Sequence, residues 1–277
     1  MNSLIIKTRE YGFCSSMFQI LDNLKYCELH DIKPILAIGD KFLYQDGQSN
    51  NIWNEFFIPI NDSQFVGNLV DITELTSNAN FLMEDFLMVS PKNNNYRLKL
   101  WELHCNGVDT TPPHRNEINA LITKYLKPIP EIQSLIDSFK TEHLNKNVLG
   151  VHIRGTDYGY HNLDSYVNRI KEICDKYDGI YVASDNIESI NRIKNEFKNV
   201  VCYDTSLRAE HLTNSSPVCH TVSGTDKIKH GKDVWIEVNL LGACSQLVCI
   251  NSNVAAMGAY MNPNMKIDLL TRQHGGG

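Results

Sequence analysis

Arg154 follows directly on an apolar, β-branched run (NVLGVHI, 147–153), in a polar loop segment that also carries His152 and Asp157. A permanent cation, an imidazole and a carboxylate are therefore set at the end of a buried strand. A guanidinium there can hold a diphosphate through paired N–H donors and neutralise the charge that grows as the diphosphate leaves. Asp157, three residues on, can take a proton from an attacking hydroxyl. Asp164, Glu10 and His161 are further candidates for that base. The competing reading is structural: Asp157 pairs with Arg154 and pins the loop. Three other turns follow the same strand-to-helix plan: EYGFCSSM (10–17), SDN (184–186) and NSNV (251–254). Such turns present backbone N–H groups at a helix start, where phosphate oxygens are well accommodated. Asp185 or Asn186 could equally serve as a helix cap, as could the trio Asn251, Ser252 and Asn253. No G-x-G-x-x-G and no G-x-x-x-x-G-K-[ST] occurs, which argues against the simplest dehydrogenase and P-loop readings.

The elements that carry these loops are clearest in the second half. NVLGVHI, GIYVAS (179–184), NVVCY (199–203), QLVCI (246–250) and KIDLL (266–270) read as short buried strands. Between them, Leu163, Val167, Ile170 and Cys174 share one helical face, as do Ile187, Ile190, Ile193 and Phe197. DVWIEVNLLGAC (233–244) and VAAMGAY (254–260) read as two more helices. Strands alternating with helices imply right-handed parallel crossovers and a doubly wound sheet. The first half opens the same way: LIIKT (4–8), a helix from Phe13 to about Cys27, then KPILAI (33–38). Residues 39–112 give no clear pattern, and helical spacing resumes at 114–126 and 131–142. The expected architecture is α/β, two Rossmann-like domains facing a central cleft, with residues 1–143 as one and 144–277 as the other.

A chain of 277 residues, 42% of them hydrophobic and 21% charged, has material for that core. Its formal charge of −6 argues against a broad basic face, so no nucleic-acid partner is expected. No run approaches the roughly 18 apolar residues of a membrane helix, and the first residues do not read as a signal peptide. The eight cysteines form no C-x-x-C pair, which suits buried thiols in a reducing compartment and a cytoplasmic location. His211, His220 and His230 have no local metal spacing, and no metal is expected.

VHIRGTDY resembles the H-x-R-R-[GT]-D motif of the α1,2-/α1,6-fucosyltransferase superfamily. EYGFCSSMFQILDNLKYCELHDIKPIL is similar to the N-terminal loop and helix of its α1,2-members. IYVASDNIESI, followed by DVWIEVNLLGACSQLVCINSNVAAMGAYMNP, is similar to the superfamily's C-terminal motifs. The resemblance implies a GT-B glycosyltransferase that moves a sugar from a nucleotide donor, typically GDP-fucose, to a glycan hydroxyl, with inversion and without an obligatory metal or other cofactor. It places Arg154 at the donor diphosphate and His152 beside the nucleotide. Ser184 and Asp185 fall in the second motif, and Glu237 falls where a carboxylate reads the guanine edge. Asn251, Ser252 and Asn253 fall near the phosphates, and Gly12 and Phe13 in the loop by which the N-terminal domain approaches the donor. Gly155 stands where the motif has a second Arg. That departure keeps open other donors on the same scaffold, such as UDP-xylose or a nucleotide-rhamnose, although the Glu237 carboxylate favours guanine, with its two N–H donors. A catalytically silent glycan- or nucleotide-binding module is the reading from another class. The long polar stretch 204–232 is expected to be a flap over the donor.

Overall fold

The computed structural model describes residues 3–8, 11–38, 42–47, 52–60, 64–65, 81–83, 112–155, 163–210 and 226–270. Two parallel sheets organise them. The first comprises β1 (Ser3–Lys7), β2 (Lys33–Ala37), β3 (Gln64–Phe65) and β4 (Phe81–Met83), in the order β3-β2-β1-β4. The second comprises β5 (Val148–Ile153), β6 (Gly179–Ser184), β7 (Val200–Val201), β8 (Gln246–Cys249) and β9 (Lys266–Leu269), in the order β7-β6-β5-β8-β9. β5 is buried along its whole length, as a central parallel strand covered on both faces must be, and this is why it reads as an unbroken apolar run.

Seven helices surround the sheets among the described residues: α1 (Phe13–His30), α2 (Pro112–Tyr125), α3 (Pro130–His143), α4 (Leu163–Ile173), α5 (Ile187–Glu196), α6 (Lys227–Gly242) and α7 (Asn253–Met261). Side-chain alternation along β5 divides the core. Leu149, Val151 and Ile153 enter a cluster with α4 and α5, through Tyr166, Val167, Ile170, Ile190 and Ile193. Val148 enters the opposite cluster, with α3, α6 and α7. Gly150 and His152 share the side of Val148, so the imidazole emerges toward α7.

The second cluster continues into the first half of the chain. Phe13 is its hub, with ring centroids 5.0 Å from Phe56, 5.2 Å from Tyr44 and 6.2 Å from Trp235 of α6. Phe57 meets Trp235 edge-on at 5.0 Å. A methyl group added at Gly231 would lie 2.7 Å from the Phe56 ring, so only glycine lets α6 approach this closely.

α6 begins six residues before the sequence pattern places it. Asp226 is its cap, accepting from the Lys229 amide at 2.9 Å. The segment read as a flap is therefore part helix. Residues 204–210 form turns tied to the end of β6, and 211–225 lie outside the described residues. The last carbonyls of α7 are closed from across the molecule. Arg115 of α2 donates to Ala259, Asn262 and Met265 oxygens at 2.9, 2.6 and 2.8 Å, and Asn119 to Tyr260 and Met261 at 2.8 and 3.0 Å. No helix among the described residues is long and apolar enough to cross a membrane.

Candidate functional site

In an open parallel sheet, a crevice forms beyond the strand ends where neighbouring strands lead away in opposite directions. Here that point lies between β5 and β8, since the chain runs from β5 to β6 and β7 on one side, with β8 and β9 on the other. The ends of β6, β5 and β8 are adjacent in register, with Ile153 opposite Ser184 and His152 opposite Cys249. Arg154, Asp185, and Asn251 to Asn253 therefore emerge side by side.

One carboxylate orders the first two loops. Asp185 accepts from Arg154 Nη1 at 3.1 Å through one oxygen and from the Gly155 amide at 2.7 Å through the other. It is free to do so because the neighbouring Asn186 caps α5, accepting from Ser189 N at 2.8 Å. The ambiguity over which residue caps that helix thus resolves by division of labour. Ser184 is internal to the turn, its Oγ accepting from Asn186 N at 3.1 Å. Arg154 keeps 22% of its side-chain surface exposed, so the guanidinium is held yet accessible.

His152 is buried at 4% exposure, with Nδ1 3.3 Å from Ser252 Oγ, while its carbonyl accepts from the Tyr166 hydroxyl at 3.2 Å. Ser252 also caps α7, accepting from Ala255 N at 3.2 Å, and Asn253 is the first residue of that helix. The trio is a helix cap and a partner to His152 at once.

Gly12 is the residue before α1; no atom lies within 4 Å of where its Cβ would be, and no side chain caps this helix start. Phe13, expected at the donor loop, is 1% exposed inside the aromatic hub, so its ring has no surface left for a ligand. Cys14 on the same turn lies within the field of Arg154, although burial dominates and pushes its thiol up to about 12.

Glu237 is enclosed in α6 at 9% exposure. Its carboxylate takes Arg208 Nη2 at 2.8 Å, and Arg208 also donates to the Tyr203 and Ser206 oxygens at 2.8 and 2.9 Å. Burial raises the Glu237 carboxyl to about 7; the Arg208 charge opposes this, and Asp233 and Asp185 add to it. A guanine edge would have to share the carboxylate with Arg208. Asp164 is tied to Arg192 at 3.0 Å on the outer surface of α4. Asp157, Glu10 and His161 lie outside the described residues.

Arg208 and His230 were not marked out by the sequence. Arg208 stands alone in a polar stretch, and His230 looks like one of three scattered histidines. What distinguishes them is burial against residues distant in sequence. Six described cysteines are free thiols; Cys174 is the partly exposed one, and Cys105 and Cys219 lie outside the described residues. No group of three His, Cys, Asp or Glu side chains that could hold a metal occurs among the described residues.

No protein-family profile matches the chain, and no curated protein matches it by sequence. Solved structures do match. NodZ fucosyltransferase from Bradyrhizobium aligns at a TM-score of 0.58 and 16% identity, over 94% of this chain and 93% of that one. Arabidopsis thaliana FUT1, as an Arg-to-Lys variant in complex with GDP, aligns at 0.61 and 10% identity, over 99% and 71%. POFUT1 in complex with GDP aligns at 0.51 and 12% identity, over 97% of both chains. At these identities the likeness is one of fold, and the chain has the parallel α/β fold of these fucosyltransferases.

Proposed function

We propose that this protein is an inverting glycosyltransferase that moves L-fucose from GDP-fucose to a glycan hydroxyl without requiring a metal ion. The observation that carries the reading is Arg154, held by Asp185 at the strand switch point. The matched NodZ, FUT1 and POFUT1 proteins were crystallised with GDP on the same fold. In this reading the domains are residues 1–143 on the acceptor side and 144–277 on the donor side, in a GT-B arrangement about a cleft. Arg154 holds the diphosphate, with the Gly12 backbone, the Gly155 amide, and the Asn251 to Asn253 turn around it. His152 and Glu237 lie toward the nucleotide.

The reaction breaks the bond from the sugar's anomeric carbon to the β-phosphate oxygen, and the electron pair leaves with GDP. The acceptor oxygen forms the new bond from the opposite face as its proton passes to a base. Asp157 is the base this reading assigns. Arg154 contributes by meeting charge that develops on the leaving oxygen, an effect worth about 100- to 1000-fold in rate when a preorganised donor is removed. The engagement of Glu237 with Arg208, together with Gly155 in place of a second Arg, supports a second reading in which the donor is a UDP-sugar. Transfer from GDP-fucose to a panel of glycans, with EDTA present, tests the function. Arg154→Ala is expected to fall at least about 100-fold at unchanged thermal stability. Equal turnover in Arg154→Ala would remove the assignment.

A further inference from the structure

We propose that Arg208 is a positioning residue for Arg154: clamped on Glu237, it fixes the turn that closes on Asp185, the carboxylate that holds Arg154. This rests on the reading above of Arg154 as the diphosphate-binding cation, and deepens it by naming what keeps that cation in place.

The link is a continuous chain of hydrogen bonds. Arg208 belongs to the turn after β7, and its side chain is 5% exposed. Its Nη2 donates to the Glu237 carboxylate of α6 at 2.8 Å and to the Tyr203 carbonyl at 2.8 Å, and its Nη1 donates to the Ser206 carbonyl at 2.9 Å. The guanidinium therefore gathers its own turn, 203–208, and joins it to α6. The next residue, Ala209, forms a parallel bridge to Asn186 at the end of β6. Its amide donates to the Asp185 carbonyl at 2.8 Å. Its carbonyl accepts from the Ile187 amide at 2.9 Å and from Asn186 Nδ2 at 3.3 Å. Ala209 thus holds the main chain of Asp185, while the Asp185 side chain holds Arg154 at 3.1 Å and the Gly155 amide at 2.7 Å.

The residue types suit this task. A planar guanidinium can engage a carboxylate and two carbonyls together, whereas an ammonium is a point charge without that fork. A second tie from α6 to the turn runs from Lys229 Nζ to the Thr205 carbonyl at 2.9 Å, but that lysine is 53% exposed and water competes for it. A buried ion pair adds little stability over apolar side chains of similar size. What Arg208 and Glu237 supply is a fixed place for residue 209. The role is the same for a GDP and a UDP donor, since it bears on the diphosphate and not on the base.

A double-mutant cycle on GDP affinity, read by calorimetry, tests the role. Arg208→Lys keeps the charge and loses the fork. It is expected to weaken GDP binding about fivefold when Arg154 is present and less than about twofold in Arg154→Ala, where no guanidinium remains to be positioned. Equal weakening in both backgrounds overturns the proposal, because a residue that only supports the fold, or one that touches the nucleotide itself, gives that result. No weakening in either background overturns it too. Should Arg208→Lys fail to fold, Arg208→Met combined with Glu237→Met removes the pair without leaving a lone buried charge, and takes its place in the cycle. Should Arg154→Ala bind too weakly to titrate, hydrogen exchange at the Gly155 amide decides without a ligand. Exchange at least about tenfold faster in the Arg208 variant is expected, and an unchanged rate contradicts the proposal. If the wild-type protein binds UDP in place of GDP, the cycle is run with UDP and read the same way. Binding of neither nucleotide by the folded wild-type protein overturns the donor reading, and this proposal with it.

Discussion

Glu237 and His230 lie on one helix and respond to burial in opposite senses. Glu237 rises from near 4.5 to about 7, so the folded protein keeps a proton that the unfolded chain gives up. Its contribution to stability is full below about pH 4.5 and is lost as pH rises through 7. His230 falls from near 6.5 to about 4, so the folded protein refuses a proton that the unfolded chain takes. Its contribution is full above about pH 6.5 and is lost as pH falls through 4. The two nearly cancel between pH 5 and 6.5, and either substitution exposes the other. Urea unfolding from pH 4.5 to 7 is expected to show His230→Gln losing of order 1–3 kcal/mol as pH rises, and Glu237→Gln losing a similar amount as it falls. Parallel profiles for the two variants would contradict the assignment. At this scale the sequence exposed Arg154, His152, Asp185 and Ser252, because each stands at a strand end where residue type and position suffice. Arg208 and His230 gave no such signal, because what sets them apart is burial against residues distant in sequence.

Elements were legible where one face repeats. β5 and β6 fall within a residue of their expected bounds, since a central parallel strand is an isolated apolar run and little else produces one. α6 was placed late because its first turns, KIKHGK, bury His230 and Gly231 against aromatic residues from 42–57 rather than through a regular stripe. β3 and β4 were not located, being two and three residues long and thus below the length at which a period shows. α7 illustrates closure from outside the element: it lacks a left-handed glycine cap and takes its cap from Arg115 and Asn119 of α2. Arg115→Ala strands three carbonyl acceptors that share one charged donor. The expected loss is about 2–4 kcal/mol in urea unfolding, against under ~0.5 kcal/mol for a surface arginine. A loss no larger than the surface value would mean that water closes the helix equally well.

Among the described residues, one apolar cluster runs from the first half of the chain into the second, with Phe13 and Trp235 contributed from opposite ends of the chain. Strands of both sheets were legible but the seam was not, because Phe42, Tyr44, Phe56 and Phe57 come from a region without periodicity. Their packing sets Phe13 of α1 against Trp235 of α6, while Arg154 and Asp185 meet at the junction of the β5 and β6 ends. The central claim is that this junction is a nucleotide-diphosphate site. Titration of the purified protein with GDP and with UDP in EDTA, followed by calorimetry, tests it most directly. The account predicts GDP binding without added metal, weaker binding of UDP, and a loss of at least about tenfold in Arg154→Ala, as expected when a charged hydrogen bond to phosphate is removed. Tighter binding of UDP would overturn the donor while keeping the site. Binding of neither nucleotide by the folded protein would contradict the account.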